Sequence, residues 1–366
     1  MTTRRNFLKG GTAAATGIVF CSCGLLQSAH AQPAGSRTLP VSIGGKRVKT
    51  IDVHAHCHFR EAGALLPADQ AAAAQLPPVN GAAEAFIEID KRLAAMDAQA
   101  VDMEVLSINP FWYGRERDLA AQIVKVQNEK LAELCASKPD RFAAFASLTL
   151  QAPDLAVTEL ETAVKKQGLK GAAIGGMVNG VEFSDTRFHP VWAKAEELGV
   201  PLFIHPQGVG ELSKRLSGNG WLGNTIGNPL ETTIALSHLI FEGTLDKFPG
   251  LKVIAAHGGG YLPSYADRSD HACMVGPRGC NADVKLKKKP TEYLKQLYFD
   301  SLIFSPEAIR HLAAQVGASQ IVLGSDYPYP WQLKPVDHIF ASASLSDEEK
   351  ANVLGNTAAR LLNIKT

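Results

Sequence analysis

From residue 48 to the end of the chain, short apolar runs alternate with longer amphipathic stretches. The runs are Lys49 to His56, Val101 to Ile108, Ala143 to Leu150, Gly171 to Gly175, Pro201 to His205, Lys252 to His257, Leu297 to Leu302 and Gln320 to Asp326. Near-continuous apolar character over so few residues predicts strands buried on both faces. Helical patterns fill the intervals: Asp118 to Lys138, Asp154 to Gln167, Val191 to Leu198, Thr232 to Asp246, Pro306 to Val316 and Asp347 to Leu362. Repeated βα units of this kind predict an α/β protein, a (β/α)8 TIM barrel, with functional groups at the C-terminal ends of the strands. An open doubly wound sheet would want a Gly-rich loop after its first strand. The residues there are His56-Cys57-His58-Phe59-Arg60.

Outside this pattern, Thr3-Arg4-Arg5-Asn6-Phe7-Leu8-Lys9 precedes a mildly apolar stretch from Gly10 to Leu26 and the cleavage-like Ala29-His30-Ala31. This reads as a twin-arginine export signal over residues 1–31, with a mature periplasmic protein starting near Gln32. A membrane anchor would want about 20 strongly apolar residues, whereas this stretch is rich in Gly, Ala and Thr, so stable insertion after cleavage is not expected. Residues 32–47 form an N-terminal extension, and 48–366 a single barrel domain without internal repeats. The Ala-, Pro- and Gln-rich segment from Glu61 to Ala83 exceeds ordinary loop lengths and suggests a lid. Ser213 to Gly227 suggests a second mobile cover.

Charge narrows the partners. The chain has 37 basic and 36 acidic residues; removing residues 1–31 takes Arg4, Arg5 and Lys9 and no acids, which leaves 34 and 36. A net charge near −2 without a clustered basic face argues against nucleic acid, and the local run of Lys285, Lys287, Lys288 and Lys289 fits a solvated loop. Cys57, Cys135, Cys273 and Cys280 lack the paired spacing of a structural zinc cluster. In an oxidising compartment Cys273 and Cys280 have a disulfide open to them. By parity Cys57 points away from the face of His56.

The candidate chemistry lies at the strand ends. His54 and His56 stand two positions apart in the first run, and therefore face one way. Phe203-Ile204-His205-Pro206, Ala255-Ala256-His257-Gly258 and Leu323-Gly324-Ser325-Asp326 each finish an apolar run with an imidazole or carboxylate. A lone His-x-His also fits two hydrogen-bonded core histidines. Four strand ends with such groups are hard to assign to packing, and point to a metal site with three or four N/O ligands.

Taken in order, Asp52-x-His54-x-His56, Leu202-Phe203-Ile204-His205-Pro206, Ala256-His257-Gly258-Gly259-Gly260 and Leu323-Gly324-Ser325-Asp326-Tyr327-Pro328 resemble the amidohydrolase superfamily, specifically its aminocarboxymuconate-semialdehyde decarboxylase branch. Met96-Asp97-Ala98-Gln99, Pro139-Asp140-Arg141-Phe142 and Gly355-Asn356-Thr357-Ala358-Ala359-Arg360 extend the resemblance over residues 50–364. It implies one divalent metal per chain, Zn2+ in the usual case, held by His54, His56, His205 and Asp326. His257 would be the general acid/base, and Asp326 would assist proton transfer. Relatives with two metals carry a modified lysine at the fourth strand, where this chain has Gly171-Ala172-Ala173-Ile174-Gly175. Arg268 matches an arginine that family members donate to a substrate carboxylate across a homodimer interface; a helix-surface salt bridge is the other reading. A second such arginine has no clear counterpart, though Arg60, Arg115 and Arg117 lie nearby.

Trp112 and Trp221 are candidates to flank a conjugated substrate, as are Phe111, Tyr113 and Trp331, with core packing as the alternative. The expected activity is nonoxidative decarboxylation of a small unsaturated or aromatic carboxylic acid. Hydrolysis of a lactone, ester or amide, hydration of a conjugated acid, and a non-catalytic exported binding protein are the alternatives.

Overall fold

A computed structural model describes residues 38–69, 83–275 and 283–366. The proposed signal peptide, most of the proposed lid, and Cys280 lie outside these residues. Within them, every predicted strand is present: β3 (Ile51–His56), β4 (Met103–Ser107), β5 (Phe142–Ala144), β6 (Ala172–Ile174), β9 (Pro201–Ile204), β10 (Lys252–Ala255), β11 (Tyr298–Asp300) and β12 (Ile321–Val322). Two hairpins, β1 (Ser42–Ile43) with β2 (Lys46–Arg47) and β7 (Met177–Val178) with β8 (Val181–Glu182), stand apart from them. The first hairpin shows that the expected extension is partly packed: Val41 is buried and Arg47 donates to Asp102 Oδ1 at 2.7 Å.

The strands pair in parallel as β3-β4-β5 and as β6-β9-β10-β11-β12. Single bridges join the two sheets at both seams, Ala146 to Ala172 on one side and Asp52 to Leu323 and Ala55 to Tyr327 on the other. Hydrogen bonding therefore runs around the ring and returns to β3, through Val53 N to Leu323 O at 2.9 Å and Asp326 N to His54 O at 2.8 Å. Ile51, Val53, Met103, Val105, Phe145, Phe203, Ile254 and Val322 meet as one buried cluster inside this ring. A second, larger cluster packs the outer strand faces against the helices.

The principal helices are α1 (Ile89–Ala98), α2 (Arg117–Ser137), α3 (Pro153–Lys165), α4 (His189–Leu198), α5 (Asn228–Phe241), α6 (Leu262–Val275) and α7 (Pro306–Val316). Helix α7 shows the local logic. Ser305 Oγ accepts from Ala308 N at 3.1 Å, proline opens the first turn, and Ile309, Leu312 and Val316 bury one face. At the chain end a π-turn, Asn352–Asn356, brings Gly355 against β3 so closely that a Cβ would lie 1.8 Å from Lys49 O. That contact is why the Gly355-Asn356-Thr357 motif begins with glycine. No helix among the described residues is long and apolar enough to cross a membrane.

Candidate metal centre

Inside β3 the facing of side chains switches. Ile51 and Val53 belong to the inner cluster, but Ala55 and Cys57 pack outward. Between them the pairing register with β4 shifts, a bulge of the kind that re-aims side chains. His54 and His56 consequently both point inward, and Cys57 stays on the outer face as parity suggested.

One ligating atom from each of His54, His56, His205 and Asp326 lies within 4.8 Å of all the others, and all four residues are buried. His54 Nε2 is 3.2 Å from His56 Nε2 and 3.2 Å from Asp326 Oδ1, and His56 Nε2 is 2.8 Å from the same oxygen. Two ligands at about 2.0–2.1 Å from one tetrahedral ion would be spaced in this way. Asp326 Oδ1 and both ring nitrogens of His205 are buried without a hydrogen-bond partner. Buried polar atoms are rarely left so, and a divalent cation satisfies them together. Three imidazoles and one carboxylate fit a mononuclear site with an open position.

The surrounding hydrogen bonds aim these ligands. His54 Nδ1 sits 2.6 Å from Asp300 Oδ2, at the end of β11. Asp300 also accepts from His257 N at 2.9 Å, Gly258 N at 2.8 Å and Leu302 N at 3.1 Å. Ser107 Oγ lies 3.2 Å from Ala55 O, to which it donates, so it accepts from His56 Nδ1 at 3.1 Å. Both Nε2 lone pairs are thereby left to the centre. Asp52 accepts from His54 N at 2.9 Å and from the Ser325 hydroxyl, tying β3 to the loop that carries Asp326. Burial, then Glu104, pushes the Asp52 carboxyl up to about 7.

Asp300, Ser107 and Arg92 were not among the residues singled out above. Asp300 had a weaker signal, since it lies inside the predicted run Leu297 to Leu302 and ends the strand only as the structure draws it. Replacing it with Asn is expected to weaken metal binding about 10- to 100-fold. Competition with a chelator measures this; unchanged affinity would remove Asp300 from the support of His54.

Burial works against charge on His54, but Asp326 and Asp300 outweigh it and raise the imidazole to about 10. Burial, with His56 and His54 beside it, holds His205 well below its usual value. Asp326 is well below the carboxylate range because the imidazoles beside it, His54 foremost, outweigh burial. His54 must lose its Nε2 proton to ligate, so metal binding between pH 7 and 8 is expected to release about one proton, with affinity rising toward pH 10. Calorimetry in buffers of different ionisation enthalpy reads the stoichiometry, and zero release would contradict it.

His257 stands beside the cluster rather than in it. Its Nε2 is 3.8 Å from Asp326 Oδ2, and its side chain keeps 14% of its exposure. It opens a short 3-10 turn, His257–Gly259, at φ 56°. Gly260 ends that turn at φ 65°, where a Cβ would lie 2.1 Å from Pro229 O. The glycine run thus allows β10 to turn tightly against α5. Asp326 is likewise left-handed, at φ 64°. Non-glycine residues adopt this conformation rarely, and functional sites concentrate it.

His257 and Asp326 line a cavity of about 510 Å³ with Asn228, Leu302, Ile303, Phe304 and Trp331. A larger cavity of about 1080 Å³, between α6 and Lys285 to Pro290, contains none of the cluster. Trp112 does not reach the site. It is fully buried and its indole donates to Leu148 O at 2.9 Å, so its substrate-binding assignment is corrected to core packing. Arg268 is exposed on α6 and does not line the cavity of this chain. Trp221 is 65% exposed and stacks on Trp331, at 5.3 Å between ring centroids. Cys273 is disulfide-bonded, with its partner outside the described residues.

Comparison with known proteins gives an amidohydrolase family model that matches residues 51–364. The 2-amino-3-carboxymuconate-6-semialdehyde decarboxylase of Dictyostelium discoideum is 32% identical over 278 residues, covering 75% of this chain and 76% of that protein. The gamma-resorcylate decarboxylase of Rhodococcus jostii is 30% identical over 294 residues, covering 75% and 87%. Among solved structures, 5-carboxyvanillate decarboxylase from Sphingomonas paucimobilis superimposes with a TM-score of 0.78 at 25% identity, over 87% of this chain and all of that one.

Proposed function

This chain belongs to the amidohydrolase family, and from that premise we propose that it is a metal-dependent nonoxidative decarboxylase of a small aromatic or unsaturated carboxylic acid. The observation that carries the reading is the buried His54, His56, His205 and Asp326 group beside a separate imidazole, His257, on one cavity. A divalent ion held by the four ligands would supply a Lewis-acid anchor for the substrate carboxylate and a neighbouring oxygen.

The protein's own groups then account for the proton. His257 donates to the carbon that bears the carboxylate. The carbon–carbon bond breaks with its electron pair returning to the conjugated system, carbon dioxide leaves, and the product keeps the proton. Asp326 Oδ2 faces the imidazole at 3.8 Å from Nε2 and orients the ring toward the substrate. The apolar walls from Leu302 and Ile303 exclude water from the carbon under attack. Solvent at the cavity mouth restores the proton to His257.

Zinc is the ion expected from three imidazoles and one carboxylate. Twin-arginine export to the periplasm and a homodimer complete the reading. Metal analysis with a carbon dioxide screen over hydroxylated aromatic and unsaturated acids tests it. About one ion per chain with carbon dioxide released supports it; a loaded protein that releases none and instead opens lactones or amides overturns it.

A further inference from the structure

We propose that the cavity is built for a monocarboxylic acid whose ring carries an apolar, preferably aromatic, substituent, and that Trp331, backed by Trp221, receives that substituent. The proposal rests on the decarboxylase reading only for the chemistry at the metal end.

The cavity is lined by two unlike groups. Asp326 and His257, 3.8 Å apart, form one, and Phe304 and Trp331, with ring centroids 6.1 Å apart, form the other; Leu302, Ile303 and Pro229 complete the wall. Its volume of about 510 Å³ holds more than a single ring. No arginine or lysine lines it among the described residues. A second carboxylate would therefore be desolvated there without a countercharge, at a cost no neutral wall offsets.

At the mouth the aromatics form a shelf. Trp221 stacks on Trp331 with 24° between ring planes, and Phe304 lies 6.1 Å from Trp331. Trp221 is 65% and Phe304 59% exposed, so the fold itself leaves these surfaces uncovered. Grouped exposed aromatics of this kind mark binding surfaces.

The shelf is fixed to the cavity wall. Trp221 holds a left-handed backbone, φ 52°. Its carbonyl accepts from Asn224 N at 2.9 Å and Thr225 N at 3.0 Å, and both of those residues line the cavity. A bulky aromatic residue in that conformation is costly, and its retention there is explained by what the ring contacts.

Calorimetry on the metal-loaded protein tests the proposal with benzoate, 3-phenylbenzoate, 4-phenylbenzoate and isophthalate. One of the phenylbenzoates is expected to bind about tenfold or more tightly than benzoate, since a second ring is buried against indole. Isophthalate should bind no better than benzoate. In Trp331→Ala the phenylbenzoate-to-benzoate ratio should fall to within about twofold of one. Trp221→Gly, at an exposed position whose backbone glycine adopts freely, should also lower it. A ratio near one in the wild-type protein, a ratio kept in both variants, or a preference for isophthalate overturns the subsite.

These probes lack the ring hydroxyl and report binding alone. Carbon dioxide release is followed separately with 2-hydroxybenzoate and its 4-phenyl derivative. The tenfold ratio without any release rejects the decarboxylase reading and keeps the subsite. Release from both acids at a ratio near one rejects the subsite and keeps the reading.

Discussion

Replacing His257 with asparagine is expected to lower carbon dioxide release about 10²- to 10⁴-fold, the usual range for a lost general acid, with metal content unchanged. Asparagine is the informative substitution because position 257 has φ 56°, a conformation asparagine tolerates and alanine resists. The backbone is held independently by the bond from His257 N to Asp300 Oδ2 at 2.9 Å. His257 is outside the group of four converging ligands, so metal occupancy should not follow activity. Metal analysis and a carbon dioxide assay on the same sample separate the two quantities. Near-wild-type turnover, or loss of metal in step with activity, would remove the general-acid role.

The second large effect concerns stability. Arg92 and Glu104 are buried to 1% exposure, with Arg92 Nη1 donating to Glu104 Oε2 at 2.6 Å. Arg92 also donates to Ala85 O at 3.2 Å and to His56 O, and its guanidinium lies 5.1 Å from the Tyr327 ring centre. Arg92→Met leaves Glu104 buried and unpaired, which typically costs about 3–5 kcal/mol. Metal affinity should fall as well, because the strand carbonyl at His56 loses its partner. The double replacement with Glu104→Met removes both charges and should recover most of the stability. Urea unfolding of the three proteins decides this; a single variant within about 1 kcal/mol of wild type would show that the pair is not what holds α1 to the barrel.

These two residues also mark what could be read from sequence. His257 was legible because it ends an apolar run, as do His205 and Asp326, and strand ends in a parallel barrel share one face. Arg92 was not. In Asp90-Lys91-Arg92 three charges adjoin, and only the packing of α1 makes Lys91 an exposed partner of Glu88 at 3.0 Å and Arg92 a core residue. Asp300 was within reach, since Leu297 to Leu302 was recognised as a strand, but its carboxyl sits between Phe299 and Ser301 without the glycine or proline that flags the other ends. Trp112 misled for a related reason. Phe111-Trp112-Tyr113 follows a strand as a binding aromatic would, and composition cannot tell an aromatic facing the cavity from one turned into the core. The bulge between Asp52 and Ala55 was also invisible, because it depends on register with β4 rather than on any residue type.

The seam between β3 and the loop after β12 sets an order of events during synthesis. His54 and His56 leave the ribosome early, but Asp326, and the Ser325 group that Asp52 holds across 273 positions, leave near the end. A nascent chain therefore carries two of the four ligands until His205 emerges and three until Asp326 does, and completes the group only when the last strand docks. Occupancy by the ion would then report that the whole ring has closed, and a chain truncated ahead of residue 326 would lose the site together with the closure.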